Sequence, residues 1–233
     1  VNDAERLAKL ATDVAARVED GSVVGLGSGS TAEAFVGALG VRAEGGLRVQ
    51  GVSTSERTSA KAREAGIELV SLADHPVLDI GVDGADEIDP SLDLVKGRGG
   101  ALLYEKIVAD ACQTWIIVAS SEKLVSRLGT RLPLPVEVIP FGWEQTARAI
   151  RTTGLEPKLR VTSTGEPFTT DGGHYVLDCQ TMPIEDAPAL AATLKQITGV
   201  VDHGLFIGQA EMAVTIDPEG EIRVHRRGER HGS

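Results

Sequence analysis

The chain has 233 residues, 42% hydrophobic and 24% charged, which suits one or two globular domains whose core needs no disulfide or metal staple. Its formal charge of −11 argues against nucleic acid or an anionic membrane as partner, while leaving room for a small anion in a locally positive pocket. No apolar run approaches the ~18 residues that span a bilayer, no signal-peptide pattern opens the sequence, and neither Cys112 and Cys179 nor the five histidines have metal-ligand spacing, so a reduced cytoplasmic setting and no metal site are expected.

Leu7, Leu10, Ala11, Val14, Ala15 and Val18 recur at helical spacing and predict an amphipathic helix over 3–19, ended by Asp20-Gly21. A strand at 22–26 runs into a glycine-rich stretch, Gly25-Leu26-Gly27-Ser28-Gly29-Ser30-Thr31, and then a helix over 31–40. Leu47 to Val52 reads as a second strand, leading through Ser53-Thr54-Ser55 into a helix to Ala65. Short strands at 67–70, 78–82 and 93–96 precede a helix at 100–111 and a buried strand, Trp115 to Ala119. Strands alternating with helices imply a parallel, three-layer α/β domain.

The composition shifts at Arg131-Leu132-Pro133-Leu134-Pro135. Beyond it the predicted order is strand 136–139, helix 142–152, strands 157–162 and 174–179, helix 185–196 and strand 200–206, a ferredoxin-like β-α-β-β-α-β series. Met212 to Ile216 and Ile222 to Val224 form a hairpin around Asp217-Pro218-Glu219-Gly220 that returns to the first domain, and the tail from Arg226 reads as solvated. The expected fold class is α/β: a three-layer Rossmann-like parallel-sheet domain (1–130 plus 207–233) with a smaller ferredoxin-like α+β domain (131–206) inserted near the C-terminal end.

The glycine stretch fits neither nucleotide fingerprint. Gly25 and Gly27 begin G-x-G-x-x-G, but Ser30 takes the last place, Ser53-Thr54-Ser55 replaces the acidic residue after the second strand, and no lysine completes a Walker loop. The shared physics remains: backbone N–H groups at a helix N-terminus attract an anion, and glycine lets the backbone approach it. The plainer alternative is a strand-to-helix turn capped by Ser30 or Thr31. A second stretch, Val82-Asp83-Gly84-Ala85-Asp86-Glu87-Ile88-Asp89, crowds four carboxylates near a strand end, an arrangement suited to proton transfer, to a divalent cation or to a solvated loop. A third, Lys96-Gly97-Arg98-Gly99-Gly100-Ala101, brings positive charge to a strand-to-helix turn, with Glu105 and Lys106 at the start of the helix. Glu105 alone reads equally as a first-turn glutamate favoured by the helix dipole.

Together, in order, these stretches resemble ribose-5-phosphate isomerase, type A. The resemblance continues through Lys123, Leu132-Pro133-Leu134-Pro135-Val136-Glu137-Val138-Ile139-Pro140 and Gly204-Leu205-Phe206, covering nearly the whole chain. It implies interconversion of ribose 5-phosphate and ribulose 5-phosphate in the non-oxidative branch of the pentose phosphate pathway, without metal or organic cofactor, by a homodimer or homotetramer. Carried over by position, Glu105 is the general base, and Asp83, Asp86 and Lys96 line the reacting sugar. Ser28, Gly29, Ser30, Thr31, Gly84, Ala85, Gly97, Arg98, Gly99 and Lys123 contact the substrate. The chain departs from the family pattern in three places: Ser28 stands where threonine is common, Arg98 where glycine is common, and Leu7-Ala8-Lys9 where the first helix often carries Leu-Lys-Lys.

The chemistry suits these groups. One base removes the C2 proton of the open-chain aldose and returns it to C1 through a cis-enediol, which fits Glu105. Lys96 is placed to stabilise the charge on oxygen, Asp86 to move protons among O1, O2 and the ring oxygen, and Asp83 to position hydroxyls. Three alternatives stay open at this level: a sugar-phosphate deaminase or lactonase on a similar scaffold, a non-catalytic sugar-phosphate-sensing module, and a coenzyme A transferase with a nucleophilic glutamate. Formation of ribulose 5-phosphate from ribose 5-phosphate separates them.

Overall fold

The computed structural model describes residues 2–228. In chain order the elements begin with α1 (Asp3–Ala15), β1 (Val23–Leu26), α2 (Ser30–Glu44), β2 (Gln50–Ser53), α3 (Glu56–Glu64), β3 (Glu68–Leu69) and β4 (Leu78–Gly84). There follow β5 (Glu87–Ile88), β6 (Leu94–Val95), α4 (Leu102–Ala111), β7 (Cys112–Ser120), a 3-10 turn (Ser121–Lys123), β8 (Leu134–Val138), α5 (Trp143–Arg151) and β9 (Glu156–Leu159). The last are β10 (Tyr175–Gln180), α6 (Ala187–Lys195), β11 (Val200–His203), β12 (Leu205–Phe206), β13 (Met212–Ile216) and β14 (Ile222–Arg226). Of the expected solvated tail, residues 229–233 lie outside the described residues.

Packing groups the chain into two units. The first holds the residues up to Ala85, Tyr104–Lys123 and those from Gly208; the second holds Asp86–Leu103 and Leu124–Ile207. The first unit carries a seven-stranded sheet in the order β14-β13-β7-β4-β1-β2-β3, parallel throughout except for β14, which runs antiparallel to β13 at one edge. Alternate residues of β1 serve the two faces. Val24 and Leu26 pack with Leu10 and Val14 of α1 and with Phe35, Val36 and Leu39 of α2. On the other face Val108 of α4 packs with Val52 and Leu78, and Gly25 leaves room for it, since a Cβ there would meet Val108 at 2.8 Å. This is the expected three-layer α/β arrangement. The first helix stops at Ala15 rather than at 19, and Arg42 Nη1 of α2 donates to the carbonyls of Ala15 and Val18, satisfying acceptors at and just beyond the helix end.

The second unit carries an antiparallel sheet in the order β11-β8-β10-β9, the ferredoxin-like order for a β-α-β-β-α-β chain. Leu134, Val136 and Val138 of β8, Leu177 and Cys179 of β10, Ile150 of α5 and Leu194 of α6 form its core. A three-stranded sheet, β12-β6-β5, stands beside it in the same unit. Here the chain departs from expectation. The strand expected at 93–96 joins this small sheet, not the parallel one, so residues 86–103 group with the second unit. The single strand expected over 200–206 breaks at Gly204 into β11, paired with β8, and β12, paired with β6. Gly204 is the crossing point because it touches the Lys96 backbone: Lys96 N donates to Gly204 O at 2.9 Å, and a Cβ on Gly204 would lie 2.2 Å from Lys96 O.

Candidate active site

Parallel strands share one carboxyl edge, and ligands of open α/β sheets bind there. In the first unit, that edge receives the loop after β1, the Ser53-Thr54-Ser55 turn after β2, Asp83-Gly84-Ala85 at the end of β4, and Lys123 in the turn after β7. The first turn of α4 arrives at the same edge, because the helix runs back to start β7. Val108 fixes the face of α4 that meets the sheet, and Glu105, three residues earlier, lies on that face and is 5% exposed.

The loop after β1 is tied down from several sides. Gly27 N donates to Val82 O at 2.9 Å, and Thr58 Oγ1 donates to Gly27 O at 2.9 Å. Ser28 N donates to Asp83 Oδ1 at 3.2 Å, and Gly84 N donates to the same oxygen at 2.7 Å. Asp83, 1% exposed, thus fastens the end of β4 to the loop after β1. The Ser28 hydroxyl turns inward to a cluster of three others, 2.8 Å from Thr54 Oγ1, 2.8 Å from Ser55 Oγ and 3.3 Å from Thr58 Oγ1. Thr54 Oγ1 in turn donates to Leu26 O at 3.0 Å. The residues standing where a dinucleotide fold carries its acidic group therefore shape the glycine loop. Helix α2 begins after Gly29, which has φ +94°, and no side chain caps it. Neither Ser30 nor Thr31 is the N-cap; both lie in the first turn, Ser30 exposed and Thr31 half-buried.

In the second unit, the Asp86 carboxylate accepts from Arg98 N at 3.1 Å, and Asp86 N donates to Val95 O at 2.8 Å. Lys96 is 3% exposed, its Nζ 5.5 Å from the centre of the Phe206 ring. Gly97, at φ +105°, bends the chain directly after it, and a Cβ there would meet Leu102 at 2.8 Å. Arg98 and Gly99 are exposed. Arg98 lines a cavity of about 280 Å³ together with Asp86, Pro133, Arg160 and Asp178.

The acidic stretch divides by role. Glu87, fully buried, accepts three backbone N–H groups: Gly129 at 2.6 Å on Oε2, Arg131 at 2.6 Å and Leu132 at 3.1 Å on Oε1. Asp89 accepts from the N–H groups of Ser91 and Asp93, closing a turn. Both carboxylates are thereby committed to holding loops. Among the described residues, no group of three or more His, Cys, Asp or Glu side chains is arranged to hold a metal ion, and no helix is long and apolar enough to cross a membrane. Burial pushes the thiols of Cys112 and Cys179 up to about 12, with Glu211 and Asp83 adding to the effect at Cys112 and Asp178 at Cys179.

A family model described as ribose 5-phosphate isomerase A (phosphoriboisomerase A) matches residues 50–220. The chain belongs to the ribose 5-phosphate isomerase A family. It is 50% identical over 220 residues to a ribose-5-phosphate isomerase A of Synechococcus sp. (strain JA-3-3Ab), covering 93% of this chain and 96% of that protein. With the ribose-5-phosphate isomerase A of Roseiflexus castenholzii (strain DSM 13941 / HLO8) it shares 51% identity over 209 residues, 89% of each. The ribose 5-phosphate isomerase A structure from Methanocaldococcus jannaschii aligns at a TM-score of 0.91 and 35% identity, over 97% of this chain and 100% of that one. A D-ribose-5-phosphate isomerase in complex with phospho-erythronic acid aligns at 0.93 and 33%, over the same shares. Membership in the ribose 5-phosphate isomerase A family makes the chain an enzyme of the isomerase class.

Two features of the site were not legible as motifs: the hydroxyl cluster of Thr54, Ser55 and Thr58 around Ser28, and Arg160, which donates to the carbonyls of Gly97 and Arg98. The Ser53-Thr54-Ser55 run was the available signal for the first. Nothing local signals the second.

Proposed function

We propose that the chain interconverts D-ribose 5-phosphate and D-ribulose 5-phosphate through a cis-enediol, with Glu105 carrying the proton between C2 and C1. The observation that carries this reading, beside family membership, is the buried Glu105 carboxylate in the first turn of α4, at the sheet edge that also receives the glycine loop. A carboxylate shielded from water at such an edge is suited to proton abstraction next to a carbonyl. Lys96 offsets the negative charge that develops on the enediolate oxygen. Asp86 moves protons among O1, O2 and the ring oxygen, opening the cyclic sugar. Asp83 keeps the β4 end and the glycine loop in register and orients substrate hydroxyls.

The 5-phosphate sits at Ser28-Gly29-Ser30-Thr31, where the N-terminus of a fifteen-residue helix carries no side-chain cap. Lys123 supplies a local cation, and the backbones of Gly84, Ala85, Gly97, Arg98 and Gly99 contact the sugar. A relative's structure with phospho-erythronic acid, itself a phosphorylated acid, supports a sugar-phosphate ligand. The reading extends to a cytoplasmic homodimer or homotetramer serving the non-oxidative pentose phosphate branch, which sedimentation and cell fractionation test.

The deciding experiment mixes purified protein with ribose 5-phosphate and follows ribulose 5-phosphate, for wild type and Glu105→Gln. Wild type is expected to turn over, and the near-isosteric glutamine to lose about 10²–10⁴ in kcat. A glutamine variant within a few-fold of wild type removes Glu105 from the mechanism.

A further inference from the structure

We infer that Arg160 is a positioning residue for the reaction: it sets the turn that carries Lys96, and Asp178 sets Arg160. The inference rests on the proposed role of Lys96. Arg160 follows β9, 64 positions beyond Lys96 in the chain, and belongs to the same packed unit. Its Nη1 donates to two consecutive carbonyls of the turn, Gly97 O at 3.1 Å and Arg98 O at 3.0 Å. On the other side of the same guanidinium, Nε donates to Asp178 Oδ2 at 2.9 Å and Nη2 to Asp178 Oδ1 at 2.5 Å.

Only a guanidinium makes this set of bonds. Its planar fork matches a carboxylate with two parallel N–H groups while a third nitrogen points elsewhere; an ammonium has no such fixed fork. Arg160 itself is held in place. Its side chain is 14% exposed, its Cζ lies 5.6 Å from the centre of the Phe168 ring, and its own N–H donates to Val176 O at 2.8 Å. Phe168 then meets the turn from beneath: a Cβ on Gly100 would lie 2.5 Å from that ring.

The turn needs such a clamp. Gly97 and Gly100 both have positive φ, so the segment has none of the rigidity of a strand or helix and is closed by one backbone bond, Gly100 N to Gly97 O at 3.0 Å. Lys96 is fixed on its N-terminal side by the bond from Lys96 N to Gly204 O. The Arg160 bonds fix the chain on its C-terminal side. They also hold Arg98 N against the Asp86 carboxylate, so one guanidinium orders the surroundings of two proposed catalytic groups. The Asp178 carboxylate offsets the charge of a guanidinium that would otherwise face two carbonyls alone.

The test uses full-length Arg160→Ala, Arg160→Lys and Asp178→Asn, each assayed per folded molecule with ribose 5-phosphate. A displaced turn lowers kcat by about 10- to 100-fold in Arg160→Ala, because reacting groups misplaced by an ångström lose about that much. KM rises by less than kcat falls, since the phosphate is held elsewhere and only the sugar contacts of Gly97 to Gly99 are disturbed. Lysine does not rescue, and Asp178→Asn loses several-fold. Added millimolar guanidinium ion restores part of kcat in Arg160→Ala and does nothing for wild type or Lys96→Ala, a response that a merely structural residue would not give.

Arg160→Ala and Asp178→Asn both within twofold of wild type, or a loss that guanidinium does not relieve, overturn the inference. Should Arg160→Ala not fold, Asp178→Asn decides by the same kcat criterion. Wild type that does not form ribulose 5-phosphate overturns the functional reading; wild type that does, with both variants matching it, overturns only the role of Arg160.

Discussion

Gly27 admits no side chain. A Cβ there would lie 2.3 Å from both Cγ and Oδ1 of Asp83 and 2.6 Å from its Cα. Carbon contacts become comfortable near 3.5 Å, so in Gly27→Ala the loop or the β4 end must move by about 1 Å. The loop cannot simply slide, because Gly27 N is bonded to Val82 O and Gly27 O accepts from Thr58 Oγ1. The movement instead falls on Asp83 Oδ1 and its two bonds, to Ser28 N and Gly84 N. Overpacking of this kind costs about 1–3 kcal/mol, which for a chain of this size lowers Tm by about 2–12 °C. The same displacement carries the phosphate loop away from the reacting groups, so kcat falls by about 100-fold. Thermal unfolding followed by circular dichroism gives the first number, and steady-state kinetics on ribose 5-phosphate gives the second. A Gly27→Ala enzyme with wild-type kcat and an unchanged Tm would refute both the tethering of the loop by Asp83 and its link to catalysis.

Glu87→Gln removes an acceptor from a carboxylate that holds three N–H groups, so Tm should drop by about 3–10 °C while kcat per folded molecule stays within threefold; an unchanged Tm shows the loop does not need the charge. The two thiols, held near 12, should be silent to Ellman's reagent at pH 8 and react stoichiometrically once denatured. Because the fold favours the neutral thiol, each contributes its full stability below the unfolded value of about 9 and loses it as pH climbs toward 12, so alkaline unfolding should steepen in that window. Free ribose should turn over far more slowly than its phosphate, and Gly29→Val, strained at φ +94° though no atom lies within 4 Å of its Cβ, should lower kcat/KM for the phosphate but not for ribose. Equal turnover of the two sugars by wild type would leave the glycine loop without its phosphate.

The fold was legible where periodicity is local. The run from α1 through β4 follows from apolar spacing, and the split β-α-β-β-α-β order survives in the sheet order β11-β8-β10-β9. Two short strands of the small sheet were not: Glu87–Ile88 is absent from the expected elements, and Leu205–Phe206 falls at the end of a longer expected strand. Glu87–Ile88 and Leu205–Phe206 are too short to show alternation, and their partner in both cases is Leu94–Val95, far from one of them in sequence. Among the site residues, Asp83, Glu87 and Asp89 look alike in the sequence, because four carboxylates in seven positions carry no label. Only the backbone N–H groups that reach them separate the tether Asp83 from the loop anchors Glu87 and Asp89. Arg160 was invisible for a different reason: inside the strand expected over 157–162, two positions from Lys158, it carries no mark of its own, and its partners are carbonyls 62 and 63 residues away.

The place of β13 sets a schedule for synthesis. It lies between β7 and the edge strand β14, with Met212 opposite Ile116, yet it is made 96 residues later, after the whole ferredoxin-like segment. At about 5–20 residues per second the ribosome needs about 5–20 s to supply it. Throughout that interval β7, whose Trp115 to Ala119 are all buried in the finished protein, presents an unpaired flank of backbone donors and acceptors on an emerging polypeptide. Polysomes translating this message therefore hold neighbouring chains with the same open strand, and the interval before residue 216 emerges is when a holdase would find its client.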